Sequence, residues 1–256
     1  YRTSLYEHYG NALTVNPAQK RFGTMANGIG DARLTASYWV LDPLKHMKGN
    51  FSVGLGLKLP TGDSKVMDKF HRRASDGSDY TIEKPVDQSI QLGDGGVGIN
   101  LEIQGYQQLF SRTSLYYNGF YMSNPRNVND AANVAPDKVV TDEMVRYMSV
   151  ADQYAGRVGL NYALVPKAGI GATLGARIEG VPAYDLIGGS DGFRRPGYIW
   201  SVEPSVNYEY KKVVLFASVP FAVVRNRTQS VTDKENSVTT GTHVQGDAAF
   251  ADYTIN

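Results

Sequence analysis

Along much of this chain every second residue is apolar. Residues 50–59 set Phe51, Val53, Leu55, Leu57 and Leu59 against Ser52, Gly54, Gly56 and Lys58. Successive side chains of an extended strand point to opposite faces, so this sorting predicts a strand with one apolar and one polar face. The segment 31–41 repeats it, with Ala32, Leu34, Ala36, Tyr38 and Val40 opposing Asp31, Arg33, Thr35 and Ser37. So do 97–104, 157–164, 170–179 and 198–210, whose polar faces carry Glu102, Arg157, Arg177, Glu179, Glu203 and Glu209. Weaker copies at 1–9, 113–123, 213–224 and 248–256 bring the expectation to about ten strands.

The links between these segments alternate in length. Short ones fall near 43–49, 110–112, 165–168 and 211–212, and long ones near 10–28, 61–92, 125–151, 182–196 and 226–246. In an up-and-down meander every second connection lies on the same rim, so the pattern predicts one rim of tight turns and one of long loops. The long links are polar and read as surface loops without a long amphipathic helix. One piece, Thr141 to Met148, reads as a short helix on the loop rim.

Composition decides which all-β architecture this is. The segments run to about 10–13 residues, against about 5–6 for a typical sandwich strand, and 9–11 tilted residues cross a bilayer. Charges of both signs at mid-strand suit a wet lumen and not a packed core. The 27 glycines suit tightly curved strands, and the 17 tyrosines, with Tyr38, Tyr198, Tyr208 and Tyr210 near strand ends, suit a membrane–water boundary. Mean hydropathy is −0.32 and no run approaches a membrane helix, but a barrel hides its apolar residues in alternation. The expected fold is therefore all-β, a transmembrane antiparallel up-and-down β-barrel of about 10–12 strands, with residues 1–256 as one domain. With 26 basic and 25 acidic residues there is no electrostatic case for nucleic acid. The absence of cysteine removes disulfides, thiolate metal sites and cysteine nucleophiles.

Several short pieces resemble a known family. Gly28-Ile29-Gly30-Asp31 leads into a strand, and Leu57-Lys58-Leu59-Pro60-Thr61-Gly62-Asp63 closes the next. Asp87-Gln88-Ser89-Ile90-Gln91, Gly93-Asp94-Gly95-Gly96, Ser123-Asn124-Pro125-Arg126, Asp185 to Gly192, Ser218-Val219-Pro220-Phe221 and Gly246-Asp247 follow. Together they resemble the outer-membrane barrels grouped as "MetA pathway of phenol degradation" proteins. The resemblance implies a barrel of about twelve strands in the bacterial outer membrane, linked to uptake of small, often aromatic, compounds. It supplies no catalytic residues. Such barrels end on an aromatic closing strand, whereas this chain ends at Asn256 inside an alternating segment, so part of the closing strand is expected to be missing.

The candidate site is the polar face: Asp31, Arg33, Lys58, Glu102, Arg157, Arg177, Glu179, Glu203 and Glu209 are expected to line the lumen. Ions there must pair across it or stand in water. Arg157 and Arg177 are expected as near neighbours on one hairpin, with Glu102, Glu179 and Glu203 as available partners. In the 182–196 loop, Asp185, Asp191, Arg194 and Arg195 form either a constriction, a contact surface or an internal clasp. Asp63, Asp68, Asp76 and Asp79 match no calcium loop, and Gly93 to Gly96 lacks the helix and Lys-Ser/Thr of a phosphate loop. No Ser–His pair can be assembled around His8, His46, His71 and His243, three of which fall in expected loops. The expectation is a porin-like, non-enzymatic passive channel for small solutes, aromatic or hydrophobic ones among them, with outer-membrane lipid around it and no cofactor or metal. The rival is a scaffold barrel with a filled lumen, docking envelope proteins through its long loops.

Overall fold

Alternation of small and apolar residues on one side of each segment, and of polar residues on the other, yields long antiparallel strands that curl. The computed structural model describes residues 5–8, 21–74, 76, 78–133, 136, 139 and 143–246. In chain order its strands are β1 (Leu5–His8), β2 (Arg21–Thr24), β3 (Ala32–Trp39), β4 (Gly49–Leu59), β5 (Met67–Arg73), β6 (Asp79–Pro85), β7 (Gly98–Phe110) and β8 (Thr113–Ser123). They continue as β9 (Val128–Ala132), β10 (Tyr147–Ser149), β11 (Gln153–Val165), β12 (Ile170–Val181), β13 (Gly197–Tyr210), β14 (Val213–Ser218) and β15 (Phe221–Arg227), followed by helix α1 (Val231–Thr240).

The principal sheet has nine strands in the order β14-β13-β12-β11-β8-β7-β4-β3, with β15 also on β13. Every pairing is antiparallel between neighbours in the meander. β14 and β15 are two halves of one edge: β14 pairs with Ser205–Tyr210 and β15 with Gly197–Val202, while Val219 N donates to Pro204 O at 3.1 Å between them. Pro220 has no N–H to offer a ladder, which explains a break at that point. Among the described residues β3 and the β14–β15 edge pair with no further strand, so the sheet is a curled half-barrel. The expected first strand is seen over Leu5–His8, in a separate two-stranded sheet with β2 and not beside β3. The expected strand at 248–256 lies outside the described residues.

Turns and long excursions alternate as the linkage lengths predict. The β7–β8, β11–β12 and β13–β14 links are tight. At the second of these, Gly169 adopts φ 69°, and a Cβ there would lie 2.0 Å from Glu209 O, so only glycine fits. The long links hold more structure than plain loops. The 61–92 link carries the β5–β6 hairpin, whose Phe70↔Ile82 pair and a Lys84 ammonium 4.0 Å over the Phe70 ring hold it together. His71 therefore sits on a strand and not in a loop. The 125–151 link carries the β9–β10 pair. The helix expected over Thr141–Met148 is a single 3-10 turn, Glu143–Val145, running into β10. After β15 comes α1, opened by a reciprocal cap in which Ser230 Oγ accepts from Asp233 N and Asp233 Oδ2 accepts from Ser230 N. A small apolar cluster of Ala26, Val86 and Ile90, flanked by Val66 and Leu92, underlies the loops.

The sheet's burial is inverted relative to a water-soluble domain. On the outer face Leu55 is 62% exposed, Leu174 60% and Val206 58%, and their cross-strand neighbours, Leu101, Pro204 and Ala172, are apolar and exposed or half-buried. On the inner face Lys58 and Glu203 are each 1% exposed. Exposure alternates with period 2 over β4 from Ser52, Gly98–Ile103 of β7, Arg157–Leu164 of β11 and Trp200–Tyr208 of β13, whereas along β12 only Ile170 and Leu174 stand out as exposed.

Candidate functional site: the charged inner face

The inner face is organised by register. Arg157 on β11 and Arg177 on β12 are direct cross-strand partners, an arrangement that repels unless an acid intervenes. Glu203 supplies it from β13, two register positions along on the same face, opposite Gly175. Its carboxylate stands 3.5 Å from Arg157 Nε and 3.9 Å from Arg177 Nη1, and accepts from Ser218 Oγ at 3.0 Å. Arg177 Nη2 donates to Glu179. Room for these side chains comes from glycines on the same face. A Cβ on Gly175 would lie 2.3 Å from Tyr116 Oη, so the Tyr116 ring fills space that a larger residue would take.

Nearer the loop rim, Lys58 donates to Asp94 and stands 3.9 Å from Asp31. Asp31, immediately before β3, also accepts from Gly62 N at 2.9 Å and Asp94 N at 3.2 Å. Gly93-Asp94-Gly95-Gly96 is thus a tight entry to β7 that delivers the Lys58 counter-ion. Glu102 departs from expectation. It faces neither Arg157 nor Arg177 but takes the Asn100 amide and Thr35 Oγ1, the latter at 3.2 Å. Register explains this, because Glu102 pairs with Phe120 and Phe120 with Ala155, which puts an aromatic ring between the acid and β11. Glu209 has inner-face parity but lies exposed at the turn rim opposite Val214, away from the cavities. Arg33 makes no ion pair among the described residues: Nη2 donates to Gln153 Oε1 at 3.3 Å, the guanidinium lies 5.8 Å from the Phe120 ring centroid, and its cross-strand partner on β4 is Lys58.

The loops are clasped across one another. Arg194, 2% exposed, grips Asp185 through two hydrogen bonds, 2.9 Å from Nη1 and 2.5 Å from Nη2, and binds Ser149 Oγ. Asp191 joins Asn127 at 2.8 Å. Arg195 reaches a different loop, with Nη1 and Nη2 each 2.8 Å from Asp87. Burial pushes the Asp87 carboxyl up, but hydrogen bonds from Arg195 and from Ser89 outweigh it and hold the group below the usual carboxylate range. Asp152 ties the same region together, accepting from Asn124 N at 2.6 Å and Leu186 N at 2.8 Å. Asp87, Asp94 and Asp152 were not among the sequence candidates. Asp87 and Asp94 stand in the short Asp- and Gly-rich pieces, which are visible in sequence without their partners.

Two cavities open below these clasps, of about 600 and 550 Å³, and both are lined by Arg33, Gln153, Val181 and Arg195. The first reaches Lys58 and Asp94, the second Arg157, Arg177 and Glu179. The aspartates Asp63, Asp68 and Asp76 cap nearby backbone N–H groups. Among the described residues no group of three or more His, Asp or Glu side chains gathers as a metal site. No protein-family model matches the chain, and no curated protein matches it.

Proposed function

We propose that this chain is a bacterial outer-membrane β-barrel that acts as a passive channel for small solutes and not as an enzyme. The observation that carries the reading is the inversion of burial. An outer face on which Leu55, Leu174 and Val206 are more than half exposed is costly in water over so large an area, and is what lipid requires. The apolar band is flanked by exposed Tyr38, Tyr208 and Tyr210, and Tyr208 stacks on Tyr210 at 6.5 Å, as a headgroup girdle would. The two adjoining cavities supply the polar path, and the charged groups on their walls would set its selectivity.

One observation favours the rival scaffold reading. Glu203 with two arginines and Ser218 makes a packed ionic layer on one side of the lumen, which would plug a narrow barrel and leave the clasped loops as a docking surface for envelope proteins. Conductance of the purified protein in planar bilayers separates the two. The channel reading expects ohmic conductance, with the Arg157→Gln/Arg177→Gln variant shifted toward cation selectivity. A folded, inserted protein without conductance rejects it in favour of the scaffold.

A further inference from the structure

We infer that the second cavity, lined by Arg33, Arg157 and Arg177, is a binding site for a small organic carboxylate with an apolar body, and that Arg33 is its anchor. Each of the other cavity arginines already has an acid: Arg195 has Asp87, Arg157 has Glu203, and Arg177 has Glu179 and Glu203. Arg33 has none among the described residues: it donates to the Gln153 amide, faces the Phe120 ring and stands cross-strand from Lys58, which is itself held by Asp94. Four guanidinium groups thus face three carboxylates around this cavity, and the surplus cation stands where the two cavities meet.

The first cavity holds the balancing charge, and it is already engaged. There Lys58 is shared by Asp94 and Asp31, and Asp31 is further satisfied by two backbone N–H groups. An incoming anion is therefore repelled from the Asp31–Asp94 end and drawn to Arg33. Arg177 also lines this cavity, but its Nε and Nη1 are buried, with Nη1 3.9 Å from Glu203, so these two nitrogens add positive potential to the wall and are not open to a ligand.

The walls define the rest of the ligand. Phe120, Val181 and Ile199 line the same cavity as Arg33 and Arg177. Guanidinium groups hold a carboxylate by parallel N–H donors, and the apolar wall takes a short hydrocarbon chain or ring. A volume of about 550 Å³ accommodates such a molecule with water to spare. The inference names a solute class for the lumen proposed above, but binding in detergent micelles does not depend on conduction, so the two can fail separately.

The test uses hexanoate and its neutral isostere hexanamide, titrated calorimetrically into the purified full chain in detergent. Hexanoate is expected to bind at least tenfold more tightly than hexanamide, and its affinity alone is expected to fall as salt rises. Arg33→Gln should weaken hexanoate at least fivefold and leave hexanamide unchanged, whereas Arg33→Lys should retain part of the preference. Arg33 is exposed and makes no ion pair among the described residues, so these variants should keep the parent's far-ultraviolet circular dichroism. Equal binding of acid and amide, no binding of hexanoate, or an unchanged hexanoate affinity in folded Arg33→Gln overturns the inference. A conductance-negative protein that still prefers hexanoate would reject the channel and leave this site standing.

Discussion

Replacing Leu55 by Arg distinguishes lipid from water as the solvent of the outer face. Leu55 lies near the middle of β4, 62% exposed, with Ala36 and Leu101 as its cross-strand partners and Leu57 and Val53 further along the same face. In water an exposed Leu exchanged for Arg changes stability by no more than about 0.5 kcal/mol, with relief of apolar exposure favouring Arg. In a bilayer midplane the same exchange costs about 2–4 kcal/mol, because the guanidinium must thin the bilayer or snorkel to the interface. The two environments predict different signs as well as sizes. Gln104 provides the control: it sits on the inner face of β7, between Ser52 and Asn118 in register, and is exposed toward the concavity. Gln104→Arg should cost less than about 1 kcal/mol in either environment, since a wet face accepts an added charge. Guanidinium unfolding in lipid vesicles can be followed by Trp39 and Trp200, both on the sheet and more than a third exposed. A Leu55→Arg variant within about 0.5 kcal/mol of the parent, or one no worse than Gln104→Arg, would refute the lipid-facing assignment.

Two further predictions follow from the ion pairs. Glu203→Gln leaves Arg157 and Arg177 facing each other without their shared acid. Partial water access to Arg157 and the remaining Arg177–Glu179 contact place the cost at the low end for a broken buried pair, about 3 kcal/mol. Arg177→Gln added to Glu203→Gln should recover part of it, and strict additivity in the double-mutant cycle would show that the three do not act together. The loop clasp depends on ionised Asp87, whose carboxyl is held below its ordinary value. Its contribution is therefore fully present above about pH 4 and is lost as pH falls through the still lower folded value. Hydrogen exchange in 86–92 should stay slow at pH 7 and pH 5 and accelerate, after correction for intrinsic rates, only near pH 3. Asp87→Asn should show the fast behaviour at every pH, and loops equally protected in the variant would remove the clasp from the account.

Sequence alone determined the strands and their faces, because the side-chain period of a strand is a local property: Leu55 and Lys58 declare opposite sides of β4 without reference to any neighbour. It also determined the alternation of turns and excursions, since chain length between periodic segments is read directly. The contents of the excursions were less legible. The α1 cap was present as Ser230 and Asp233 three residues apart, but Val231–Thr240 has too few apolar positions to announce a helix by periodicity. The β5–β6 hairpin carries charged residues on both strands and lacks a strong apolar alternation, so the period gave no signal there. Only tertiary structure decided which charges meet. Lys58 finds Asp94 from 36 residues away and Arg195 finds Asp87 from 108, across loops whose folding no local period encodes. Glu102 was expected among the arginines and is screened by Phe120, while Arg33 emerged as the cation left over. Parity assigns a residue to a face, whereas its partner is set by register, sheet curl and the loops folded over the rim, and these exist only once the strands have paired.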